Sequence, residues 1–147
     1  MARAYYSTVF DESAARLWAL LRDFGNYRLW IDEVEESGIE DGKSGDAVGA
    51  VRYARIGETR IRQRLLAHSD LERSYSYEFC GAPRFPIRGF VATIRATPVT
   101  DGDRAFVEWW ANFDCEAAEQ AHWEGFLASS FAGWLESLRT KALRAFA

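Results

Sequence analysis

Polar side chains stand at alternate positions of segments that otherwise read as apolar strand faces. Gln63 shares the mostly apolar face of the segment 60–68, whose other face is basic. Glu108 and Asn112 share a face with Trp110 by the same two-residue period. An inward amide can orient a ligand through hydrogen bonds, and an accessible inward carboxylate can act as a general base. We therefore expect the chemistry of this chain to lie on an inner sheet face.

Tyrosine and histidine side chains could also take part in chemistry, but in this chain both have simpler interpretations. Tyr75 and Tyr77 alternate in one strand and could donate protons, but structural packing explains them without any shifted pKa. His68 is placed on the basic, solvated face of its strand, and His122 lies near the start of the last helix. Neither histidine stands at a useful spacing from an acid or a thiol, so we expect both to be solvated.

Several reaction classes lack their sequence signatures here. The chain has no nucleophile elbow, no glycine-rich phosphate loop and no paired metal ligands, which argues against serine hydrolases, nucleotide-binding proteins and metalloenzymes. Cys80 and Cys115 are the only cysteines and form no CxxC pair, so they predict idle thiols. No cofactor and no metal are expected.

Length and charge favour one soluble domain spanning residues 1–147. The chain has 147 residues, 48% of them hydrophobic, and a formal net charge of −4 from 22 acids and 18 bases. No basic patch indicates nucleic acid, and Arg60, Arg62 and Arg64 read as one solvated strand face. Without a secretion signal or a membrane-spanning run, we expect a cytoplasmic protein with no integral membrane association. A homodimer is compatible with this interpretation.

The first third of the chain predicts a strand followed by two short helices. Residues 3–10 favour a strand that ends where Asp11 can cap a helix beginning near Glu12. Apolar residues then recur at helical spacing until a glycine interrupts them. A second short helical turn is expected to carry Tyr27 and Trp30.

The rest of the chain predicts an antiparallel meander and one long helix. Short strands separated by turn residues fill the region from Val34 to Asp114. After Asp114 an apolar stripe at helical spacing, with charges opposite, indicates a helix that covers the sheet.

This order of elements resembles the helix-grip superfamily of START domains and birch-pollen-type allergens. Within it, the chain looks most like the bacterial polyketide cyclase/dehydrase-type proteins. The matching pieces are the helix pair 17–30 and the segments 48–52, 62–66, 75–77 and 107–109. The resemblance implies an α+β helix-grip fold. In it, a curved seven-stranded antiparallel sheet wraps around a long C-terminal helix, two short helices follow the first strand, and a cavity lies between sheet and helix.

The same resemblance implies where a ligand would bind. Arg52 would point inward beside Gln63, Glu108 and Asn112, with Arg52 and Glu108 as an ion pair, and the register of Glu35 stays undecided. The predicted lining consists of Arg52, Gln63, Tyr77, Phe90, Ala92, Glu108, Trp110, Asn112, Phe126, Ser130 and Trp134. The gate, residues 56–58, and the facing latch, residues 81–86, would form an entrance that includes Ile56, Gly57, Pro83 and Phe85.

Three functions follow from this interpretation. The first is binding of a hydrophobic small molecule, such as a polyketide, a quinone or a lipid-like compound. The second is an aromatase/cyclase or dehydratase in which Glu108 is the general base and Arg52 stabilises an enolate, although a structural Arg52–Glu108 pair is favoured over catalysis. The third is an interaction module that regulates a protein partner, which would show an exposed apolar patch instead of a deep cavity.

Overall fold

The computed structural model describes residues 1–142. Within this range, strands and helices follow one another in the predicted order. Their bounds are β1 Ala2–Phe10, α1 Ala14–Leu21, α2 Tyr27–Trp30, β2 Glu36–Ile39, β3 Val51–Ile56, β4 Thr59–Ser69, β5 Ser74–Phe79, β6 Arg88–Val99, β7 Arg104–Asp114 and α3 Gln120–Ser137. Short 3₁₀ segments lie at Glu40–Gly42 and Ala117–Glu119, and a π-helical turn, Leu138–Ala142, continues α3.

The seven strands form one antiparallel sheet in the order β1-β7-β6-β5-β4-β3-β2. Strands β2 to β7 pair as consecutive neighbours, and β1 returns to pair with β7. The three helices lie on the concave side, which we call the inner face. This arrangement confirms the predicted helix-grip architecture.

Helix α1 begins two residues later than predicted. Ser13, in an extended conformation, is its N-cap, and the Ser13 side chain accepts a hydrogen bond from the backbone N–H of Arg16 at 3.2 Å. The expected cap at Asp11 is therefore wrong. Serine and aspartate are both strong caps, so a sequence with one of each before the helix does not settle which is used.

The side chains of strand β7 point to the opposite faces of the sheet from those predicted. Its buried side chains are Ala105, Val107, Trp109, Ala111 and Phe113, while Phe106, Glu108, Trp110 and Asn112 are only partly buried and lie on the outer face. Two adjacent tryptophans give each face one large ring, so the two-residue period alone did not reveal which face is inner. The prediction that Glu108, Trp110 and Asn112 point inward is wrong.

The alternation of side chains between the two sheet faces is shifted partway along strand β4. A bulge interrupts its pairing with β5 between Leu65 and Ala67. Beyond it Ala67 is exposed, and the His68 side chain is only 8% exposed, with its ring 5.4 Å from that of Trp18. The solvated position predicted for His68 is wrong, because one extra residue in a strand turns the following side chains to the opposite face.

Helix α3 packs its central turns against the sheet. Leu127, Phe131 and Leu135 are buried, and the ring of Phe131 stacks on Trp109 at 4.8 Å between centroids. Phe126, on the same helix, is 44% exposed. The helix thus buries one face against the sheet and leaves Phe126 partly exposed beside the latch residue Phe85.

No helix among residues 1–142 combines the length and apolar character that crossing a membrane would require.

Candidate ligand-binding site

A cavity of about 460 Å³ lies between the inner face of the sheet and α3. This volume is within the range of small-molecule pockets. Aromatic and aliphatic side chains form most of its wall. Residues predicted for the lining or the entrance that do border it are Ile56, Gln63, Tyr77, Pro83, Phe85, Phe90, Phe126, Ser130 and Trp134.

Three further residues predicted for the lining or the entrance, Arg52, Gly57 and Ala92, do not border the cavity. Ala92 is fully buried opposite Tyr77 in the β5–β6 pair. Gly57 turns the chain between β3 and β4 with φ of +61°, a left-handed conformation that favours glycine. Arg52 is fully buried behind Gln63.

Glu108 lies on the far side of the sheet from the cavity. Its Oε2 accepts a 2.7 Å hydrogen bond from the hydroxyl of Tyr5, and this bond raises the pKa of Tyr5. The predicted Arg52–Glu108 ion pair is wrong, because the two side chains project from opposite faces of the sheet. Glu108 therefore has no route to a ligand in the cavity.

The Arg52 guanidinium is held by neutral acceptors on several elements. Nε donates to Oε1 of Gln63 at 2.7 Å, and Nη2 donates to the hydroxyl of Tyr27 at 2.6 Å. Nη1 donates to the carbonyl of Phe24 at 3.2 Å and approaches the Tyr75 hydroxyl at 3.5 Å. The planar fork of donors thus ties β3 to β4, β5 and the α1–α2 turn.

Aromatic rings surround the same guanidinium. Its central carbon lies 3.7 Å from the ring centroid of Tyr27, 3.9 Å from that of Phe24 and 4.5 Å from that of Tyr77. Ring faces attract a cation, most strongly when both are shielded from water. Among the described residues no carboxylate forms an ion pair with Arg52. The positive charge is therefore stabilised by hydrogen bonds and rings alone.

Burial sets the protonation states around this charge. It raises the pKa of Tyr27 and Tyr77 above the ordinary tyrosine value, although the nearby Arg52 opposes the shift. Both phenols are therefore neutral near pH 7. Burial disfavours the charge on Arg52, but the surrounding phenol groups outweigh it and raise the pKa of the guanidinium. Arg52 is a permanent cation beneath the cavity wall.

Arg52 determines which way the Gln63 amide points. A guanidinium has only donors, so the oxygen of Gln63 must face it. The amide nitrogen then points away from Arg52, and no hydrogen bond from this nitrogen is found within residues 1–142. Gln63 borders the cavity. The arrangement offers two oriented N–H donors to a ligand, backed by a buried positive charge.

The gate and the latch meet at the entrance. Nη1 of Arg84, on the latch, donates to the hydroxyl of Thr59, next to the gate, at 3.0 Å. Phe85 packs against Trp123 and Phe126 of α3, with centroid distances of 5.4 and 5.6 Å. The latch thus contacts both Thr59, next to the gate, and the terminal helix.

Part of the cavity wall is shared with a neighbouring groove. The indole N–H of Trp134 donates to Oε1 of Glu33. Beyond this pair lies a surface groove of about 430 Å³ between α3 and the segment after α2. Glu33, Ser130 and Trp134 border both the cavity and the groove.

Some lining residues were missed by sequence reasoning. Ile61 and Phe79 follow the same alternation as Gln63 and Tyr77, so the two-residue period could have identified them. Glu33 lies in a loop before β2, where no periodicity applies, and its carboxylate borders the cavity. Glu35, whose register was undecided, is exposed and accepts a hydrogen bond from Arg55.

Comparison with solved structures places this fold among known ones. A protein from Thermobifida fusca is 28% identical with a TM-score of 0.84, covering 95% of this chain and 91% of that one. The di-domain aromatase/cyclase BexL of the BE-7585A biosynthetic pathway is 14% identical with a TM-score of 0.80, covering 96% of this chain and 46% of that chain. Norcoclaurine synthase from Thalictrum flavum, solved with a transition-state analogue, is 12% identical with a TM-score of 0.75, covering 99% and 96%.

Sequence comparison assigns the family. No curated protein matches this chain by sequence. The family described as "Polyketide cyclase / dehydrase and lipid transport" matches residues 1–147, the whole length given. The seven-stranded sheet, the terminal helix and the cavity between them agree with that assignment. The chain therefore belongs to the polyketide cyclase/dehydrase and lipid transport family.

Proposed function

We propose that this chain binds a hydrophobic small molecule in the 460 Å³ cavity, with the Gln63 amide donating a hydrogen bond to an oxygen of the ligand. The observation that carries the proposal is the Arg52–Gln63 bond beneath an otherwise mostly apolar wall. It leaves amide donors without a protein partner at a residue that borders the cavity. A ligand oxygen supplies that partner.

The apolar wall would provide most of the affinity. Burial contributes about 25 cal/mol per Å² of apolar surface before the costs of ordering are subtracted. Rings of Tyr77, Phe79, Phe90 and Trp134 border the space and suit a flat or extended apolar body. A carbonyl, quinone or phenol oxygen at one end would then be fixed by Gln63.

The family and the structural relatives support this proposal. The family description includes lipid transport. Norcoclaurine synthase, which shares the fold, holds a transition-state analogue in its solved structure. In this chain the cavity occupies the space between sheet and terminal helix.

A second candidate is cyclisation of a polyketide-like substrate, which one observation favours. The Gln63 amide, polarised by the buried Arg52, is suited to stabilise an enolate oxygen as negative charge develops on it. Arg52 would act through Gln63 and would not touch the substrate. Glu108, on the outer face, is no longer a candidate base. The aromatase/cyclase BexL shares the fold, which supports the candidate by analogy only.

Native mass spectrometry of the purified protein, followed by denaturing extraction, tests the binding proposal. We expect an apolar adduct that is lost in Trp134→Ala, which removes part of the cavity wall. Trp110→Ala is the matched control, because it removes the same side chain from the outer face. Circular dichroism would show that both variants remain folded.

The proposal is contradicted if no adduct is found and added apolar probes such as menadione do not bind. Equal loss of binding in both tryptophan variants would also contradict it, since the outer face would then matter as much as the cavity.

A further inference from the structure

The outer face of the sheet carries apolar side chains where β1, β7 and β6 lie side by side. Tyr5 and Val9 on β1 and Val91 on β6 are exposed. Phe106 and Trp110, on β7 between those strands, are partly exposed on the same face. The solvated face of an antiparallel sheet ordinarily carries polar side chains. We call these five residues the outer patch, and an exposed apolar patch of this kind marks an interaction surface.

Tyr5 and Trp110 form the centre of the outer patch. They stand directly opposite each other in the β1–β7 pair. The guanidinium carbon of Arg3 lies 5.6 Å from the ring centroid of Tyr5 and 5.7 Å from that of Trp110, so cation–π attraction holds this exposed side chain against both rings. Tryptophan, tyrosine and arginine are the residue types that contribute most binding energy at protein interfaces.

Two opposite charges beside this aromatic pair have no ion pair of their own. Within residues 1–142 no carboxylate forms a salt bridge with the Arg3 side chain, and only the backbone N–H of Arg3 donates to Glu124. The carboxylate of Glu108 accepts a hydrogen bond from the Tyr5 hydroxyl through Oε2, and no cation among the same residues pairs with it. Its Oε1 is therefore left for an external donor.

Other charges on the outer face are paired within the chain. Arg64 on β4 lies 3.1 Å from the carboxylate of Glu78, and Arg95 on β6 lies 2.6 Å from that of Glu72. The sheet thus neutralises arginines on its outer surface elsewhere and leaves one cation and one anion unpaired beside the outer patch.

The strand register places these two charges on opposite sides of the aromatic pair. On β1, Arg3 stands two residues before Tyr5. On β7, Glu108 stands two residues before Trp110. Because the strands are antiparallel and the two rings are opposite each other, the cation and the anion lie at opposite ends of the central row. A two-fold axis across the strands at this row would place Arg3 of one copy against Glu108 of another.

We propose that the outer patch is the interface between two copies of this chain, related by a two-fold axis at the level of Tyr5 and Trp110. A symmetric homodimer needs a self-complementary surface, and this one has aromatic rings at the axis and opposite charges on either side of it. The interface then contains two Arg3–Glu108 ion pairs. The cavity lies on the inner face and stays accessible, so this inference is independent of the proposed ligand.

Sedimentation velocity over a series of protein concentrations tests the interface. We expect the wild type to show a concentration-dependent dimer. Arg3→Glu and Glu108→Arg should each weaken it roughly tenfold or more, because symmetry brings like charges together twice. Arg28→Glu makes the same change of charge at an exposed position of α2, away from the outer face, and should dimerise as the wild type does. Circular dichroism checks the fold of every variant.

A mixture of the two charge variants gives a sharper result. Neither Arg3→Glu nor Glu108→Arg should associate with itself, but each supplies the charge that the other has lost. An equimolar mixture should therefore form a heterodimer with an affinity near that of the wild-type dimer. The double variant Arg3→Glu/Glu108→Arg should recover self-association for the same reason, and Trp110→Ala should lose it.

Three results would overturn the proposal. A wild type that stays monomeric over the whole series would exclude a second copy as the partner of this face. A dimer that persists unchanged in Arg3→Glu, Glu108→Arg and Trp110→Ala would use another surface. Two folded charge variants that fail to associate when mixed would contradict the two-fold placement of the charges.

Discussion

Arg52 and Gln63 stand directly opposite each other in the β3–β4 pair, and a 2.7 Å hydrogen bond joins their side chains. The sheet register fixes the separation of the two backbones. The guanidinium, which has only donors, fixes the orientation of the amide. The ligand-facing N–H groups are therefore in place before a ligand arrives, which reduces the ordering cost of binding.

Replacing Gln63 with glutamate should keep the fold and weaken ligand binding. The carboxylate still accepts from Arg52 Nε, but it has no N–H to donate. We expect affinity for menadione, whose carbonyls are acceptors, to fall roughly three- to tenfold. Fluorescence titration measures the affinity, and thermal melting checks the fold.

Gln63→Leu is the companion variant, and it should differ from Gln63→Glu in stability. It leaves Arg52 Nε buried without its acceptor, at a cost of about 1–3 kcal/mol. Both variants lack the amide N–H groups, so both should weaken menadione binding; if both bind menadione as tightly as the wild type, the amide does not act as a ligand donor.

Arg52→Lys should destabilise the protein although the charge is kept. An ammonium group cannot reach Gln63, Tyr27 and the Phe24 carbonyl with the geometry of a guanidinium fork. We expect a loss of about 1–3 kcal/mol in the free energy of unfolding, measured by urea denaturation. Arg64→Lys on the outer face should change it by less than about 0.5 kcal/mol, and equal effects at the two positions would refute the role assigned to the fork.

Ser13→Ala should cost about 1 kcal/mol of stability, because the N-cap bond to the Arg16 N–H is lost. Asp11→Ala removes the residue that sequence reasoning preferred as the cap, and it should have a much smaller effect. Chemical denaturation of both variants decides between the two assignments. A larger effect at Asp11 would mean that the helix begins where the sequence suggested.

Asp70→Asn should matter at neutral pH and lose its effect in acid. Asp70 accepts hydrogen bonds from Arg22, Trp18 and His68, and those from Arg22 foremost hold the pKa of its carboxyl well below the ordinary range. A carboxyl with a lowered pKa in the folded state stabilises the fold above its unfolded pKa of about 3.9. That stabilisation is lost as the pH falls through the lower, folded value.

Urea unfolding of wild type and Asp70→Asn between pH 3 and 7 measures this dependence. The stability difference should be constant above about pH 5 and shrink below about pH 4. Asp101→Asn, in an exposed turn, is the control. A difference that grows towards acid pH would mean that the charge on Asp70 is unfavourable in the folded protein.

Much of the architecture was predictable because the spacing of apolar residues and the positions of turn residues indicate where helices and strands lie. The short helix carrying Tyr27 and Trp30, the antiparallel meander and the terminal helix were all expected, and they are confirmed. The facing of β7 was not, since Trp109 and Trp110 give both of its faces a large ring. A two-residue period indicates that side chains alternate between the two faces, but it does not indicate which set of side chains is buried.

Other features depend on contacts between distant segments. The bulge in β4 that turns His68 inward leaves no local signal, because the mismatch exists only against β5. The ring environment of Arg52 was equally unpredictable from sequence, because the rings that stabilise its charge come from α2 and β5. Glu33 borders the cavity beside Trp134, which lies about a hundred residues further along the chain and donates to it.

The bond between Trp134 and Glu33 holds one side-chain rotamer of Trp134 in the wall between the cavity and the groove. A turn of the Trp134 side chain away from Glu33 would join the two spaces into a tunnel with a second exit, without any change in the backbone. Exchange by this route would be paced by a side-chain flip, whereas passage between gate and latch requires loop motion, which is generally slower. The residence time of a ligand would then depend on the Trp134 rotamer as well as on the gate.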